Sequence, residues 1–414
     1  MIWIVGNKGM LGRELAELLV SEGEPFVGSD REVSILDPEA LSAFAQEHNP
    51  NWIVNCSAYT AVDKAEEDRE AAFALNRDGA ANLARLAAQR DIPLIHISTD
   101  YVFDGTSVEP LSEEAPTAPT GVYGASKLAG EEAVRSASPK HIIIRTAWLY
   151  GQHGPNFVYT MLRLMNQRDS LKVVDDQHGS PTWARDLSRF ILSVLRDGWE
   201  AWGTYHFSGE GRCTWHGFAQ EILLLGRETG LVTRPCTLTP CSSSEYPTPA
   251  KRPAWSLLSK EKAKKTFGFD VPGWEESLTQ YIVHLSSLKT RIENWLEHSD
   301  YDRETAKAMH QSGRYLYVFI TCQQAIEKAM KAVYEFRNLS VPRIHDLVRL
   351  SMGQNLLNIE THGNLLKDLS YYYIASRYSE RVTTLSAELT VERSAHVISQ
   401  TEEVLTCLRS MILL

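Results

Sequence analysis

Short apolar runs alternate with amphipathic segments over the first 150 residues of the chain. Between the apolar runs, Ala, Leu and Glu recur at helical spacing, as in residues 11–21 and 72–89. Regular alternation of strands and helices is typical of parallel sheets covered on both faces, so we predict an α/β fold with a doubly wound parallel sheet. The predicted strands are residues 2–5, 25–28, 52–56, 93–98 and 141–146.

This alternation weakens after about residue 150, and the chain changes character again after about residue 285. Turn-rich pieces such as 177–181 and 242–253 predict a smaller substrate region within residues 150–285. Residues 274–298 read as nearly continuous helix, so the two domains, 1–285 and 286–414, are expected to share one helix across their boundary. The second domain is predicted to be an all-α helical bundle, with helices near 288–298, 302–336, 345–352, 362–377 and 388–412.

Composition narrows the class of protein. The net charge of −10 argues against a general nucleic-acid or membrane binder, which would normally carry a basic surplus. The six cysteines are scattered and suggest no metal cluster or disulfide framework. The longest apolar stretch, residues 315–333, is interrupted by Gln, Glu and Lys and predicts an amphipathic helix that does not span a membrane. The chain opens directly on a strand, and we expect a cytoplasmic protein.

Three glycines follow the first predicted strand and open the first helix, at Gly6, Gly9 and Gly12. Glycine suits this place because the backbone must turn sharply and approach a pyrophosphate closely, while the helix packs on the strand. The helix N-terminus then offers free N–H groups to the phosphates. The pattern at this strand–helix junction predicts a Rossmann-type dinucleotide site.

The end of the second strand leaves the choice of cofactor open. Asp30 can accept hydrogen bonds from the ribose hydroxyls of NADH, and Arg31 can bind the extra phosphate of NADPH. We therefore predict NADPH or NADH as the cofactor. Asp37 is a further candidate cofactor residue, or alternatively a turn residue or helix cap before Pro38.

A phenol and an ammonium lie four residues apart, at Tyr123 and Lys127, on one face of a predicted helix. We expect the cation to lower the pKa of the phenol toward the working range of an acid–base catalyst. Thr99 ends an apolar strand 24 residues earlier, where side chains point into the ligand crevice of such a sheet. These three residues are the predicted catalytic set.

In these and further motifs, the chain resembles the dTDP-4-dehydrorhamnose reductase family of extended short-chain dehydrogenases. The resemblance rests on ordered motifs such as Ser98-Thr-Asp-Tyr-Val-Phe-Asp-Gly105 and Val122-Tyr-Gly-Ala-Ser-Lys-Leu-Ala-Gly-Glu131. Further matching motifs lie at residues 55–66, 145–151, 176–182, 214–216 and 246–253.

The resemblance implies that Thr99 hydrogen-bonds the sugar C4 carbonyl, that Tyr123 protonates O4, and that Lys127 tunes Tyr123 and holds the nicotinamide ribose. Trp148 would face the sugar, or alternatively would be a structural aromatic at the strand end. The full set of predicted cofactor residues is Gly6, Lys8, Gly9, Met10, Leu11, Gly12, Asp30, Arg31, Asp37, Ala58, Tyr59, Thr60, Tyr123 and Lys127. The predicted substrate residues are Val62, Asp63, Thr99, Trp148, Asn156, Gln177 and Arg252.

One departure from the family concerns a metal. Some members dimerise through Mg²⁺ held by glutamates, and Glu14 matches the first of those positions. Arg185 lies where a second glutamate would be needed, and a cation there would repel a divalent ion. We predict no metal site.

Residues 287–414 resemble the HEPN domain, a small helical bundle. Ribonucleases of that group carry Arg and His four to six residues apart, whereas Arg337 and His345 have seven residues between them and Arg393 and His396 have two. We therefore expect no RNase activity, and no nucleic-acid partner. His345 is expected to cap or open a helix, and Tyr371–Tyr373 to serve core and interface. The tail is predicted to act in assembly or regulation, through a homodimer held mainly by residues 300–414.

The sequence thus favours NAD(P)H-dependent reduction of dTDP-4-dehydro-L-rhamnose to dTDP-L-rhamnose. One alternative is a non-catalytic dinucleotide-binding regulatory subunit, as in the methionine adenosyltransferase β subunit. A second is a reductase of another dNDP-4-keto-6-deoxy sugar. The intact set of Thr99, Tyr123 and Lys127 favours the enzyme, since a binding module has no need of it.

Overall fold

The computed structural model describes residues 1–197, 200–337, 339–378 and 382–412. It divides into two compact units, Met1–Val283 and His284–Leu414, whereas the boundary predicted from the sequence follows residue 285. The strands are β1 (Ile2–Val5), β2 (Phe26–Ser29), β3 (Trp52–Asn55), β4 (Leu94–Thr99), β5 (His141–Thr146), β6 (Leu149–Tyr150), β7 (Ser170–Val174), β8 (His178–Gly179), β9 (Thr182–Trp183), β10 (Gly203–His206), β11 (Cys213–Thr214) and β12 (Thr237–Cys241).

Helices cover both faces of the main sheet in the first unit and build the second unit. A π-helical stretch, Ala74–Gly79, joins α4 to α5. The α-helices are α1 (Met10–Glu22), α2 (Pro38–His48), α3 (Val62–Ala65), α4 (Arg69–Phe73), α5 (Ala80–Gln89), α6 (Val122–Ala137), α7 (Phe157–Gln167), α8 (Ala184–Asp197), α9 (Trp215–Glu228), α10 (Glu261–Phe267), α11 (Trp274–Gln311), α12 (Tyr315–Phe336), α13 (Leu347–Gln354), α14 (Ile359–Tyr378), α15 (Val382–Ala387) and α16 (Val391–Ser410).

Six of the described strands form the main sheet, in the order β10-β5-β4-β3-β1-β2, and every neighbouring pair is parallel. The predicted α/β fold is confirmed. All four residues of β1 are buried, because helices cover both faces of the sheet, and this is why the strand reads as a continuous apolar run. The carboxyl ends of β1, β3 and β4 meet at one edge, where ligands bind in such sheets.

Two hydrophobic clusters fill the two sides of this sheet. Trp3 packs with Leu83 of α5, and the next residue, Ile4, packs in a different cluster with Leu15 of α1 and Phe190 of α8. Successive strand side chains point to opposite faces, so one strand supplies both clusters. The sheet is thereby fixed between two helical layers, and its carboxyl edge becomes a rigid base for the site.

The second unit is helical, as predicted, but some helix boundaries differ. The predicted break after residue 298 is absent, since α11 runs on to Gln311 and Ser299 is buried with its hydroxyl donating to the Ala325 carbonyl. The chain instead turns between α11 and α12, where Gly313 has a φ of +70° that glycine adopts readily. The predicted helix 388–412 is α16, and it begins only at Val391, where the Thr390 side chain accepts a hydrogen bond from the Arg393 N–H.

No helix in the described parts of the chain is long and apolar enough to cross a membrane.

Candidate active site

The turn between β1 and α1 is tightly packed and leaves the start of the helix without a side-chain cap. A Cβ atom on Gly12 would lie 2.2 Å from the Gly6 carbonyl oxygen, so this contact requires glycine. Gly9 is the N-cap of α1 and has no side chain to bond the first N–H groups of the helix. These groups and the positive end of the helix dipole are open to an anion such as a pyrophosphate. The same segment contains the other predicted cofactor residues of this turn, Lys8, Met10 and Leu11.

Opposite charges lie side by side at the end of β2. The Asp30 carboxylate accepts hydrogen bonds from the N–H groups of Lys8 at 3.2 Å and Arg31 at 2.8 Å. The Lys8 ammonium forms a 2.9 Å ion pair with Glu32, and this hydrogen bond lowers the pKa of the Glu32 carboxyl. Glu32 was not predicted as a site residue, although it lies two residues after Asp30. Carboxylates and cations are both present here, and this pairing suits either nicotinamide cofactor.

Asp37 is the N-cap of α2. Its carboxylate accepts hydrogen bonds from the N–H groups of Glu39 at 3.0 Å and Ala40 at 3.1 Å. This is the helix-cap alternative that the sequence left open, while a role of Asp37 toward the cofactor stays a prediction.

The loop after β3 contains the predicted cofactor residues Ala58, Tyr59 and Thr60. The side chain of Asn76 holds this loop, since it accepts from the Tyr59 N–H at 2.8 Å and donates to the Tyr59 carbonyl at 3.2 Å. Asn76 also donates to the Ser126 hydroxyl of α6 at 2.9 Å. It thereby ties the predicted cofactor loop to the predicted catalytic helix. This buried amide was not predicted as a site residue, although it directly follows the apolar run 71–75.

Thr99 and Tyr123 meet at the carboxyl end of β4. The Thr99 hydroxyl donates to the Asp100 carboxylate at 3.0 Å. Burial raises the pKa of the Tyr123 phenol to about 12, while the nearby Thr99 hydroxyl acts in the opposite direction. The expected lowering of this pKa by Lys127 is not found, because burial dominates at this site. A raised pKa keeps the phenol protonated at neutral pH, and this is the form that can donate a proton.

Lys127 is 2% exposed, and its ammonium donates to the Ile97 carbonyl at 2.6 Å. Burial lowers the pKa of this amine to about 8, while the Glu131 carboxylate and the Cys56 thiol act to raise it. Glu131 is itself buried and pairs with Arg145 at 2.8 Å. The ammonium therefore lies at the carboxyl end of the sheet, one helical turn beyond Tyr123. With a pKa of about 8, it begins to lose its proton at mildly alkaline pH.

Asp100 lies at the candidate site but was not among the predicted site residues. Its carboxyl is 2% exposed, and burial raises its pKa to about 6, although hydrogen bonds from Thr99 and Ser256 oppose this. The ring of the next residue, Tyr101, lies edge-on to Tyr123 with the ring centroids 5.4 Å apart. The sequence signal was direct adjacency to Thr99. A carboxylate and an aromatic ring thus border Thr99 and Tyr123, the predicted catalytic pair.

Two of the predicted substrate residues come together from distant parts of the chain. Arg252 donates to Asp63 at 2.7 and 3.2 Å, and the Ala250 N–H donates to the same carboxylate at 3.2 Å. Burial acts to raise the pKa of Asp63, but the hydrogen bonds from Arg252 and Ala250 outweigh it and the pKa is lowered. Val62 begins α3, immediately before this pair. The ion pair joins the sheet edge to the predicted substrate region.

Trp148 follows β5 in a left-handed backbone conformation, with a φ of +49°. For a bulky residue this conformation costs on the order of 1–3 kcal/mol and persists only where the surroundings impose it. The surroundings here include Trp215, whose ring stacks on Trp148 with centroids 3.7 Å apart and planes 9° apart. Both readings of Trp148, as a sugar contact and as a structural aromatic, agree with this packing.

Asn156 and Gln177 already have protein partners. Asn156 caps α7, where it accepts from the Tyr159 N–H at 3.1 Å and donates to the Gly151 carbonyl at 2.7 Å. Gln177 donates to the Ser243 hydroxyl at 2.9 Å. Their predicted contacts with substrate stay predictions.

Glu14, which matches a metal-binding position of some family members, lies close to other ionisable side chains. Glu14 is 4% exposed, and burial, followed by the neighbouring Glu17, raises the pKa of its carboxyl. Glu17 in turn bonds to His153 at 2.8 Å. Among the described residues, no group of three or more His, Cys, Asp or Glu side chains could hold a metal ion. The predicted lack of a metal requirement is left to experiment.

Treatment with EDTA is expected to leave both turnover and oligomeric mass unchanged, because Arg185 supplies a cation where a metal would need a carboxylate. Steady-state rates and light scattering before and after dialysis against EDTA measure this. Activity that is lost and then restored by added Mg²⁺ would show the prediction to be wrong.

His345, in the second unit, was expected to cap or open a helix. It is not the cap of a helix in the structure. The N-cap of α13 is Asp346, and the His345 Nδ1 lies 3.1 Å from both carboxylate oxygens of the buried Glu327. Arg337 donates to the Gln354 carbonyl and Arg393 to Asp368. Each of the three residues is therefore engaged with a different partner. In the triplet at 371–373, the first tyrosine is exposed and the other two are buried.

The chain is similar to known proteins along both units. Residues 1–287 match the model of the RmlD substrate binding domain, and residues 292–411 match that of the HEPN domain. A dTDP-4-dehydrorhamnose reductase of Sinorhizobium fredii is 46% identical over 238 residues, which are 56% of this chain and 80% of the relative. A dTDP-4-keto-6-deoxy-D-glucose reductase of Streptomyces niveus is 40% identical over 289 residues, 69% of this chain and 98% of the relative. The crystal structure of dTDP-4-dehydrorhamnose reductase from Bacillus anthracis in complex with NADP has a TM-score of 0.64 at 36% identity and covers 68% of this chain and 98% of that one.

Proposed function

The chain belongs to the RmlD family of dTDP-4-dehydrorhamnose reductases, and on that premise we propose that it reduces the C4 keto group of dTDP-4-dehydro-L-rhamnose to give dTDP-L-rhamnose. The observation that carries the proposal is the meeting of Thr99 and Tyr123 at the end of β4, with Lys127 one turn further along α6. A binding module has no use for a half-buried proton donor one helical turn from a buried amine. The resemblance assigns the carbonyl contact to Thr99 and the proton transfer to Tyr123.

The residues at the β1–α1 turn fit a dinucleotide. The contact at Gly12 leaves no room for a side chain, and the start of α1 is open to phosphate. Bound NADPH or NADH supplies the hydride that adds to C4 of the sugar. Asp30 and Arg31 provide for both cofactors, so we propose that both are accepted, and the ratio of their kcat/KM values measures the preference.

This chain's own residues handle the proton and the sugar. The Tyr123 phenol is protonated at neutral pH, since burial raises its pKa to about 12, and it donates its proton to O4. The Thr99 hydroxyl hydrogen-bonds the C4 oxygen and holds it in reach of that phenol. Lys127 holds the nicotinamide ribose from its place beside the Ile97 carbonyl. Asp63, Arg252 and Trp148 line the pocket for the sugar nucleotide.

The test is incubation of the full chain with dTDP-4-dehydro-L-rhamnose and NADPH or NADH, with oxidation followed at 340 nm and the product sugar identified by NMR. Formation of dTDP-L-rhamnose supports the proposal. A product with the opposite configuration at C4 would mean that the chain reduces this keto sugar from the other face and makes a different 6-deoxyhexose. An intact cofactor after prolonged incubation would favour the non-catalytic regulatory subunit.

We further propose that the protein acts in the cytoplasm, supported by six free cysteine thiols, and that it needs no nucleic-acid partner, supported by the net charge of −10. We also propose a homodimer held by the second unit. Support comes from apolar side chains that this unit leaves exposed, among them Tyr371 (59%) and Ile374 (48%) on α14. These two residues lie three apart and share one face of the helix.

The double variant Tyr371→Asp/Ile374→Asp is expected to turn the dimer into a monomer that keeps its reductase activity, because two carboxylates cannot be buried unpaired in an interface. Light scattering should report a mass near that of one chain, 46.6 kDa, where the unchanged protein gives twice this value. Val108→Asp, at a 76% exposed apolar position of the first unit, is the matched control and should remain dimeric. A double variant that stays dimeric would contradict this assembly.

A further inference from the structure

The wall of the sugar pocket contains an aromatic contact that the family motifs leave without a role. Trp148, a predicted sugar contact, has one ring face covered by Trp215, with ring centroids 3.7 Å apart and planes 9° apart. At this separation nothing can enter between the two indoles. A ligand can therefore use only the remaining surface of Trp148, and the position of that surface depends on Trp215.

Trp215 is itself firmly placed. It begins α9 directly after β11, which pairs with β8, so that Cys213 lies opposite Gly179 and Thr214 opposite His178. Its ring lies 4.6 Å from that of Phe157 and 6.4 Å from that of Phe218, measured between centroids. The two phenylalanines stack on each other, with centroids 5.5 Å apart. Trp215 thus rests on a packed aromatic base and transmits that rigidity to Trp148.

The backbone of Trp148 shows why support is needed. Its φ of +49° is unfavourable for a bulky side chain, so the loop would relax if the indole lost its contact. A second constraint comes from Gly179, where a Cβ atom would lie 2.7 Å from Cε2 of Trp148. The conformation of Trp148 is therefore maintained by a ring on one side and by the lack of a side chain at residue 179.

We propose that Trp215 is a positioning residue for the sugar nucleotide, acting by holding the Trp148 indole in its strained conformation against the pocket. The inference rests on the proposed reductase function and names a determinant of substrate affinity within it. An aromatic face at residue 215 is what matters, since stacking needs a flat ring and no particular polar atom.

Steady-state kinetics of the full chain with dTDP-4-dehydro-L-rhamnose and NADPH test this. Trp215→Leu should raise the KM for the sugar nucleotide by about tenfold, leave the KM for NADPH unchanged, and change kcat much less. Trp215→Phe keeps a flat ring and should restore most of the affinity. Trp202→Leu is the matched control. Trp202 directly precedes β10 and so lies at the amino ends of the parallel strands, near Trp52, whereas Trp148 lies beyond the carboxyl end of β5. Trp202→Leu should leave both KM values unchanged.

Gly179→Ala is the second variant and leaves Trp215 untouched. Its added methyl must displace the Trp148 ring, so the KM for the sugar nucleotide should rise here too, and this result decides the matter if Trp215→Leu fails to fold. A purely structural role predicts a lower Tm with an unchanged KM for the sugar nucleotide, and that outcome in both variants would overturn the proposal. If the unchanged protein turns over no sugar nucleotide, the proposed function itself has failed.

Discussion

Replacing Tyr123 with phenylalanine is expected to lower kcat by about 10³-fold while NADPH still binds, because the change removes one hydroxyl and nothing else. Burial raises the pKa of this phenol to about 12, so at neutral pH it carries the proton that O4 needs. Without it, the proton must come from water or from another side chain. The ring contact with Tyr101, whose centroid is 5.4 Å away, does not need the hydroxyl and should persist.

Stopped-flow single turnovers measure the chemical step, and fluorescence titration measures NADPH binding. Tyr205→Phe is the control, since the Tyr205 hydroxyl donates to the Ala201 carbonyl away from the crevice and its loss should leave kcat unchanged. A Tyr123→Phe enzyme with near-normal single-turnover rates would require another proton donor. The buried carboxyl of Asp100 would then be the first group to examine.

Lys127→Met is expected to reduce kcat by at least about 100-fold and to weaken NADPH binding by about tenfold, because we propose that one ammonium serves both the proton donor and the nicotinamide ribose. The protein should still fold. Removal of this ammonium strands no buried charge, since Glu131 keeps its ion pairs with Arg145 at 2.8 Å and Arg135 at 2.6 Å. Lys140→Met, which removes a partly exposed partner of Asp91, is the control.

The pH profile gives a second measure of Lys127. Burial lowers the pKa of its amine to about 8, so the ammonium is charged below that pH and is lost as the pH rises through it. The kcat/KM of the unchanged enzyme should therefore fall above about pH 8, while Tyr123, with a pKa near 12, does not titrate in this range. Residual activity of Lys127→Met should lack this alkaline limb. A limb that survives the substitution would assign the titration to another group.

The fold could be predicted because burial on both faces makes β1, β3, β4 and β5 readable as apolar runs. Helix ends in the second unit were harder. Ser299 is a polar residue inside α11, and it is accommodated only because the Ala325 carbonyl is there to accept its hydrogen bond. Such a partner belongs to another helix and leaves no mark in the local sequence.

In the candidate site, too, some features could be predicted from the local sequence and others could not. Motifs carried by one turn or one helix, such as Gly6 to Gly12 or Tyr123 with Lys127, could be predicted from their spacing together with their place after predicted strands. Three other features depend on how distant segments pack together. They are the hydrogen bonds of Asn76 to the loop and to α6, the stack of Trp215 on Trp148, and the hydrogen bond from Lys127 to the Ile97 carbonyl. The direction of the Tyr123 pKa shift was wrong for this reason, since the degree of burial is a property of the folded crevice.

The ion pair between Asp63 and Arg252 has a consequence for biosynthesis. The two residues are 189 positions apart, so ribosomes adding about 5–20 residues per second need roughly 10–40 s to deliver the second after the first. The turn from Gly6 to Gly12, Thr99 and Tyr123 all leave the ribosome well before Arg252 does. During translation the segments predicted to bind the dinucleotide are therefore synthesised first, and the ion pair that joins them to the predicted substrate region can form only after Arg252 has left the ribosome.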